Sequence, residues 1–135
     1  MRRQAPLVVT QPVFVCSTFR DMQAERDILH DRVFPAVRDW VRREGLPLRL
    51  EFVDLRWEVD PSRVDVSERE LEVLGVCFRE IVESRPFFIG LLGDRYGSVP
   101  DADRARAVAS EHGYDQDVGG HSVTALEIEF GVLRN

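Results

Sequence analysis

Residues 13–27, VFVCSTFRDMQAERD, decide how the chain is to be read. An apolar run, Val13 to Cys16, leads straight into Ser17-Thr18-Phe19-Arg20-Asp21, and a charged segment of helical spacing follows. Residues 12–16, PVFVC, form a short apolar run that reads as a buried strand. Ser17 and Thr18 suit the capping of the helix that follows. The same exposed backbone N–H groups, with Arg20 beside them, suit a phosphate or other anion. The residues leave both roles open.

Outward from this stretch, Met22, Ile28, Leu29, Val33, Phe34, Val37, Trp40 and Val41 recur at helical spacing, predicting a helix over 21–43. Pro35 sits inside that pattern and predicts a kink or break near Phe34. Residues 48–55, LRLEFVDL, alternate and then turn apolar, as a second strand would. Residues 56–65 read as a loop, and Ser67 with Glu70 forms a capping-box sequence opening a helix to about Glu83. After Pro86, FFIGLLG (87–93) is an uninterrupted apolar run, expected at the centre of a parallel sheet. A turn over 94–100, a helical turn around 103–110 and a loop lead to a last helix, opened by the capping box Thr124-x-x-Glu127. Strands alternating with helices predict a single α/β domain with a mostly parallel sheet.

The 135 residues suffice for one domain with a proper core, and 44% hydrophobic with 31% charged residues is globular composition. A net charge of −6 argues against a nucleic-acid-binding face. Cys16 and Cys77 lie in apolar runs without CxxC spacing and read as buried free thiols in a reducing cytosol. His30, His112 and His121 are scattered, which argues against a metal site. Neither a membrane span nor a signal peptide is legible, so a cytoplasmic location is expected. The sequence stops at FGVLRN within an amphipathic pattern, suggesting the excised N-terminal part of a longer protein.

In an open parallel sheet, ligands bind beyond the carboxyl ends of the strands. Three segments fall there: Ser17–Asp21, Asp54–Glu58 and Gly93–Gly97. Each sets an arginine beside a carboxylate, as Arg20/Asp21, Arg56/Asp54 and Arg95/Asp94. Arg26 is expected to pair with a nearby carboxylate. No Gly-rich phosphate loop and no GxSxG elbow is present. Glu127 is either a capping residue or a carboxylate at the ligand edge, and Trp57 either anchors its loop or stacks on a ring.

The motifs VFVCSTFRDMQAERDILHDRVFPAVR, VDLRWEV, CFREIVESRPFFIGLLGDRYGSVP and SVTALEIE, in that order, resemble one family from Val13 to about Val132. It is the TIR-like domain of unknown function on the N-terminal side of many STAND-type NACHT ATPases, found also in the vault telomerase-associated protein and NACHT/WD-repeat proteins. The resemblance implies a flavodoxin-like, TIR-like three-layer sandwich that self-associates and shares its chain with NTPase and repeat domains. It further implies an effector or signalling role, in bacterial defence among other settings, and makes NAD a possible substrate rather than a cofactor. Glu127 is then the position resembling a catalytic glutamate for nicotinamide–ribose scission. Ser17, Thr18, Phe19, Arg20, Asp21, Arg56, Trp57 and Arg95 would hold the ligand, with Arg20 or Arg56 on the pyrophosphate and Phe19 or Trp57 on a ring. The alternatives are a non-catalytic homotypic module and a nucleotide-binding regulator without turnover. The chain departs from the family pattern at Cys16, where Ser is usual, and at Glu58, where Gly is usual. It also lacks the Trp-Cys pair common before the glutamate in TIR domains.

Overall fold

A computed structural model describes residues 6–56 and 66–134, without the side chains of residues 66–71 and 73. The loop expected over 57–65, with Trp57 and Glu58, lies outside the described residues, as do the side chains of Ser67 and Glu70. Strand β1 (Val9–Cys16) is followed by helix α1 (Gln23–Ile28), a π-helical turn (Leu29–Val33) and α2 (Phe34–Arg43). Then come β2 (Leu48–Val53), α3 (Val66–Ser84), β3 (Phe88–Gly90), α4 (Ala102–Glu111) and α5 (Val123–Ile128), extended by a second π turn (Glu129–Leu133).

The three strands form a parallel sheet in the order β2-β1-β3. The crossover from β1 to β2 and that from β2 past β1 to β3 run in opposite directions across the sheet, and right-handed connections then place their helices on opposite faces. The side chains agree. Val13 lies opposite Phe52 in the ladder, and Phe52 stacks on Phe34 of α2 with ring centroids 3.7 Å apart. One residue on, Phe14 lies beside Val53 and Phe88, and all three join the core built with α3 and α5. This is a helix–sheet–helix sandwich of flavodoxin-like topology.

Sequence and structure part company at the element boundaries. Strand β1 begins at Val9, ahead of the expected 12–16, and so carries Pro12 in its interior rather than at its first position. Alternate N–H groups of β1 point to β2 (Val9 N to Pro47 O, 3.0 Å) and to β3 (Phe14 N to Phe87 O, 3.5 Å). The missing donor of Pro12 therefore falls on the β3 side, where pairing starts only at Phe14.

Ser17 and Thr18 do not cap the helix. It starts at Gln23, preceded by Met22 in the left-handed region (φ 62°) with no side-chain cap. Nor does Pro35 break the run. The turn before it widens to π geometry, with Phe34 N bonding Leu29 O, and this loosened turn accommodates the N–H that Pro35 lacks. Helix α3 already contains Val66, so Ser67 lies inside it rather than ahead of it.

The run 87–93 yields only a three-residue strand, because its partner β1 ends at Cys16, opposite Gly90. Among the described residues β3 is an edge, not the centre of the sheet, and Phe87 and Leu92 are exposed. Asp101 caps α4, accepting from Arg104 N at 2.9 Å, so the helical turn expected around 103–110 is a full helix. Helix α5 is capped by Ser122, whose hydroxyl accepts from Ala125 N at 3.1 Å, and not by Thr124. Thr124 instead donates to Ser17 O at 3.3 Å, tying α5 to the end of β1.

Candidate functional site

The carboxyl ends of β1 and β2 and the inner side of α5 converge on a charged cluster closed off from water. Glu127 is 0% exposed and Arg56, just past β2, is 1% exposed. The pair is bidentate, with Arg56 Nη1 donating to Oε2 at 3.0 Å and Nη2 to Oε1 at 2.6 Å. The last residue of β1, Cys16, donates its thiol to the same Oε2 at 2.9 Å. Burial alone would lower the Arg56 pKa, but the Glu127 charge and hydrogen bonds outweigh it and hold the guanidinium above its ordinary value. Burial, reinforced by the Glu127 charge, pushes the Cys16 thiol well up, so it stays protonated and inert as a nucleophile.

A second buried pair adjoins the first. Asp54 Oδ2 lies 3.4 Å from Arg26 Nε and 3.2 Å from His30 Nε2, while Oδ1 accepts from Arg56 N at 3.1 Å. Arg26 is fully buried and its three guanidinium nitrogens have no hydrogen-bond partner, a costly arrangement that burial registers as a lowered pKa. Two arginines thus face two carboxylates in the protein interior. Among the described residues no group of three His, Cys, Asp or Glu side chains could hold a metal ion. No described helix is long and apolar enough to cross a membrane.

The structure divides the expected site residues. Arg56 and Glu127 meet, and Ser17 is linked to their helix through Thr124. Thr18 and Arg95 come together in a separate cleft beside α5. Phe19 is buried, Arg20 is exposed, and Asp21 is half-buried with Oδ1 accepting from Met22 N. Trp57 lies outside the described residues. Of the three neighbouring arginine–carboxylate pairs, Asp54/Arg56 is re-partnered: the Arg56 side chain takes Glu127 and Arg26 takes Asp54. Arg26 therefore does pair with a carboxylate, as its position suggests.

Sequence reasoning missed Cys16 and His30 as members of this cluster, and it set Asp54 against the Arg56 side chain rather than that of Arg26. One signal was available. Arg26 lies four residues after Met22, three before Leu29 and eight before Phe34, on the apolar stripe of its helix. A charge on that stripe is either buried and paired or misplaced.

These features define a class: a flavodoxin-like α/β domain with a sealed, charge-balanced cluster at the sheet edge where such folds take their ligands. The chain belongs to the family described as "Domain of unknown function (DUF4062)", whose model matches residues 12–134. It is 36% identical over 116 residues to telomerase protein component 1 of Mus musculus, covering 86% of this chain and 4% of that protein. It is 32% identical over 90 residues to NACHT and WD repeat domain-containing protein 2 of Homo sapiens, covering 64% and 5%. A TPR repeat-containing protein of Dictyostelium discoideum is 36% identical over 85 residues, covering 63% and 5%. The chain thus spans about a twentieth of the length of these relatives. No solved structure matches it.

Proposed function

We propose that the domain is a signalling module of a STAND-type sensor, sharing its chain with NTPase and repeat domains and acting by homotypic association. One observation carries this reading. Along α2 and the turn before it, Val33, Ala36, Val37 and Trp40 follow i, i+3, i+4, i+7 spacing and line a shallow apolar hollow of about 380 Å³. Trp40 is 51% exposed, while the core side of the same helix is served by Phe34 and Val41. A helix with a second apolar stripe facing water supports an interaction surface. Sedimentation velocity of the intact protein over a concentration series tests it. Self-association that weakens in Trp40→Arg is expected, and a wild-type protein that stays monomeric throughout rules the reading out.

A second reading, cleavage of NAD at the nicotinamide–ribose bond, draws support from the convergence of Cys16, Arg56 and Glu127 at the ligand edge. Glu127 would stabilise an oxocarbenium-like centre, as carboxylates do in glycoside cleavage. With both oxygens engaged by Arg56, it would first have to be released. Nicotinamide release by the intact protein, lost in a folded Glu127→Gln variant, is the result this reading requires.

A further inference from the structure

The apolar run 87–93 has the composition of a central strand, yet β3 is paired with β1 on one side only. Phe87 O accepts from Phe14 N and Leu91 N donates to Cys16 O, so these residues turn their backbone groups to β1. Alternation along the strand then turns the N–H and C=O of Phe88 and Gly90 the other way. Among the described residues nothing pairs with them. Gly90 is exposed, so this edge is open to an incoming chain. The apolar side chains along it lack cover as well: Phe87 is 50% and Leu92 72% exposed. Val132, next to the Gly131 that meets the Phe88 ring, is also half exposed. Proteins normally pair or cover such an edge.

The helices indicate what covers it. Helix α3 carries the chain from β2 past β1 to β3 and packs on the face that holds Phe14 and Phe88. Helix α5 lies on the same face, where Phe130 of its extension packs on Phe78 of α3 with ring centroids 4.4 Å apart. Connections between parallel strands are right-handed in about 98% of cases. A right-handed crossover from β3 with its helix on this face moves as the previous one did, away from β1 and onto the free edge. The helix also runs in the direction such a crossover needs. It starts at the carboxyl end of the sheet, where Thr124 donates to Ser17 O and Val123 N to Ser98 O. Its extension finishes over the amino end of β3, where a Cβ on Gly131 would lie 2.7 Å from the Phe88 ring. A parallel neighbour of β3 starts from that same end, about 4.8 Å away across the edge.

We infer that the free edge of β3 is the docking site for a strand of the same polypeptide. The occupant is the stretch that follows the α5 extension in the intact protein, pairing in parallel as a fourth strand beside Phe88 and Gly90. The relatives are far longer than the stretch they share with this chain, which leaves room for it. A second copy is the poorer fit. Across a two-fold axis the three-residue β3 offers only Phe88 and Gly90 for pairing, whereas a strand tethered to α5 arrives at high effective concentration. Once docked, its carboxyl end falls on the side of the sheet that carries Asp94 and Arg95. Downstream polypeptide thereby contributes to the ligand edge. Docking uses neither Glu127 nor the α2 stripe, so it stands apart from both readings above.

Hydrogen–deuterium exchange of the intact protein, resolved to single amides, tests the assignment. The Phe88 and Gly90 amides are expected to be protected by about a hundredfold or more over an unstructured chain, equally at every protein concentration. Exchange near the unstructured rate would mean an open edge and overturn the inference. Protection that rises with protein concentration would give the edge to a second copy and overturn it too. Prolines placed at alternate positions in the stretch after the helix should release both amides, and unchanged protection would overturn the choice of occupant. A variant pair reads the same edge through stability. Gly90→Pro deletes an N–H that β1 does not use, while Gly90→Ala keeps it, with a Cβ in ordinary contact 3.5 Å from Phe88 Cε1. In the intact protein the domain should melt several degrees lower with Gly90→Pro than with Gly90→Ala, and equal melting would overturn the inference.

Discussion

Separating Arg56 from Glu127 should be among the most damaging single changes available in this fold. Both side chains are removed from water, and their two hydrogen bonds of 3.0 and 2.6 Å give the paired geometry that an arginine fork makes with a carboxylate. Glu127→Leu leaves the Arg56 guanidinium without its carboxylate, and Arg56→Met takes from Glu127 its cationic partner and leaves it the Cys16 thiol. Breaking a buried pair from one side costs about 3–5 kcal/mol, a large share of the roughly 5–15 kcal/mol that holds a domain folded. Replacing both together removes the charge imbalance, and such replacements are often neutral or stabilising. The double variant should therefore be more stable than either single one, with a coupling energy of about 3 kcal/mol or more. Urea denaturation of the four proteins measures this, provided the m-values agree. Single substitutions costing less than about 1 kcal/mol each, with simple additivity in the double variant, would refute the reasoning. The pair would then not be a desolvated lock.

Three further outcomes follow from particular contacts. The Cys16 pKa is raised in the folded protein, so the stability it contributes is complete below the unfolded thiol value of about 8.5. It is lost as pH rises above that value and through the folded pKa. Urea midpoints should fall at alkaline pH, by at most about 1.4 kcal/mol per pH unit for this proton, and less steeply in Cys16→Ser, which keeps a donor for Glu127. Tyr114, raised by burial and then by Glu129, pulls in the same direction in both proteins. Gly131→Ala would normally gain up to about 1 kcal/mol in a helix. Here its Cβ would meet the Phe88 ring at 2.7 Å and Ile81 Cγ2 at 3.1 Å, so a net loss of about 1–3 kcal/mol is expected by thermal or urea melting. Ser122→Ala should cost about 1 kcal/mol through loss of the α5 cap; no loss would return the helix start to Thr124.

Much of the fold is legible because its signals are local. The apolar run Val13–Cys16, the alternation of 48–53 and the helical spacing of apolar residues from Met22 to Val41 each belong to one element, and alternating elements imply parallel strands. What the sequence hides depends on a partner elsewhere. FFIGLLG has the composition of a central strand, yet it pairs only as far as β1 reaches, and β1 stops at Cys16. Pro35 announces a disturbed helix, but whether the turn breaks or widens is decided by the packing on either side. Phe34 on Phe52 holds the run together there. For the site, Arg56 and Glu127 are each legible as edge residues, while their pairing across 71 positions is not.

Glu127 shows why residue type and spacing do not settle role. As the fourth residue of Thr124-x-x-Glu it has the spacing of a capping box, and as a carboxylate at a sheet's ligand edge it has the placing of a catalytic group. The structure gives the cap to Ser122, one residue ahead of α5, so Glu127 stands a full turn inside the helix, on the side facing β1. A carboxylate directed into a core needs a cation, and Arg56 is brought to it by the end of β2, with its own backbone N–H anchored on Asp54. Asp54 in turn meets Arg26, whose place on the apolar stripe leaves it no route to water. Each charge makes the next tolerable, so the four residues form one unit that resists opening piecemeal. Turnover at Glu127 would therefore require an event that separates the pair, such as assembly.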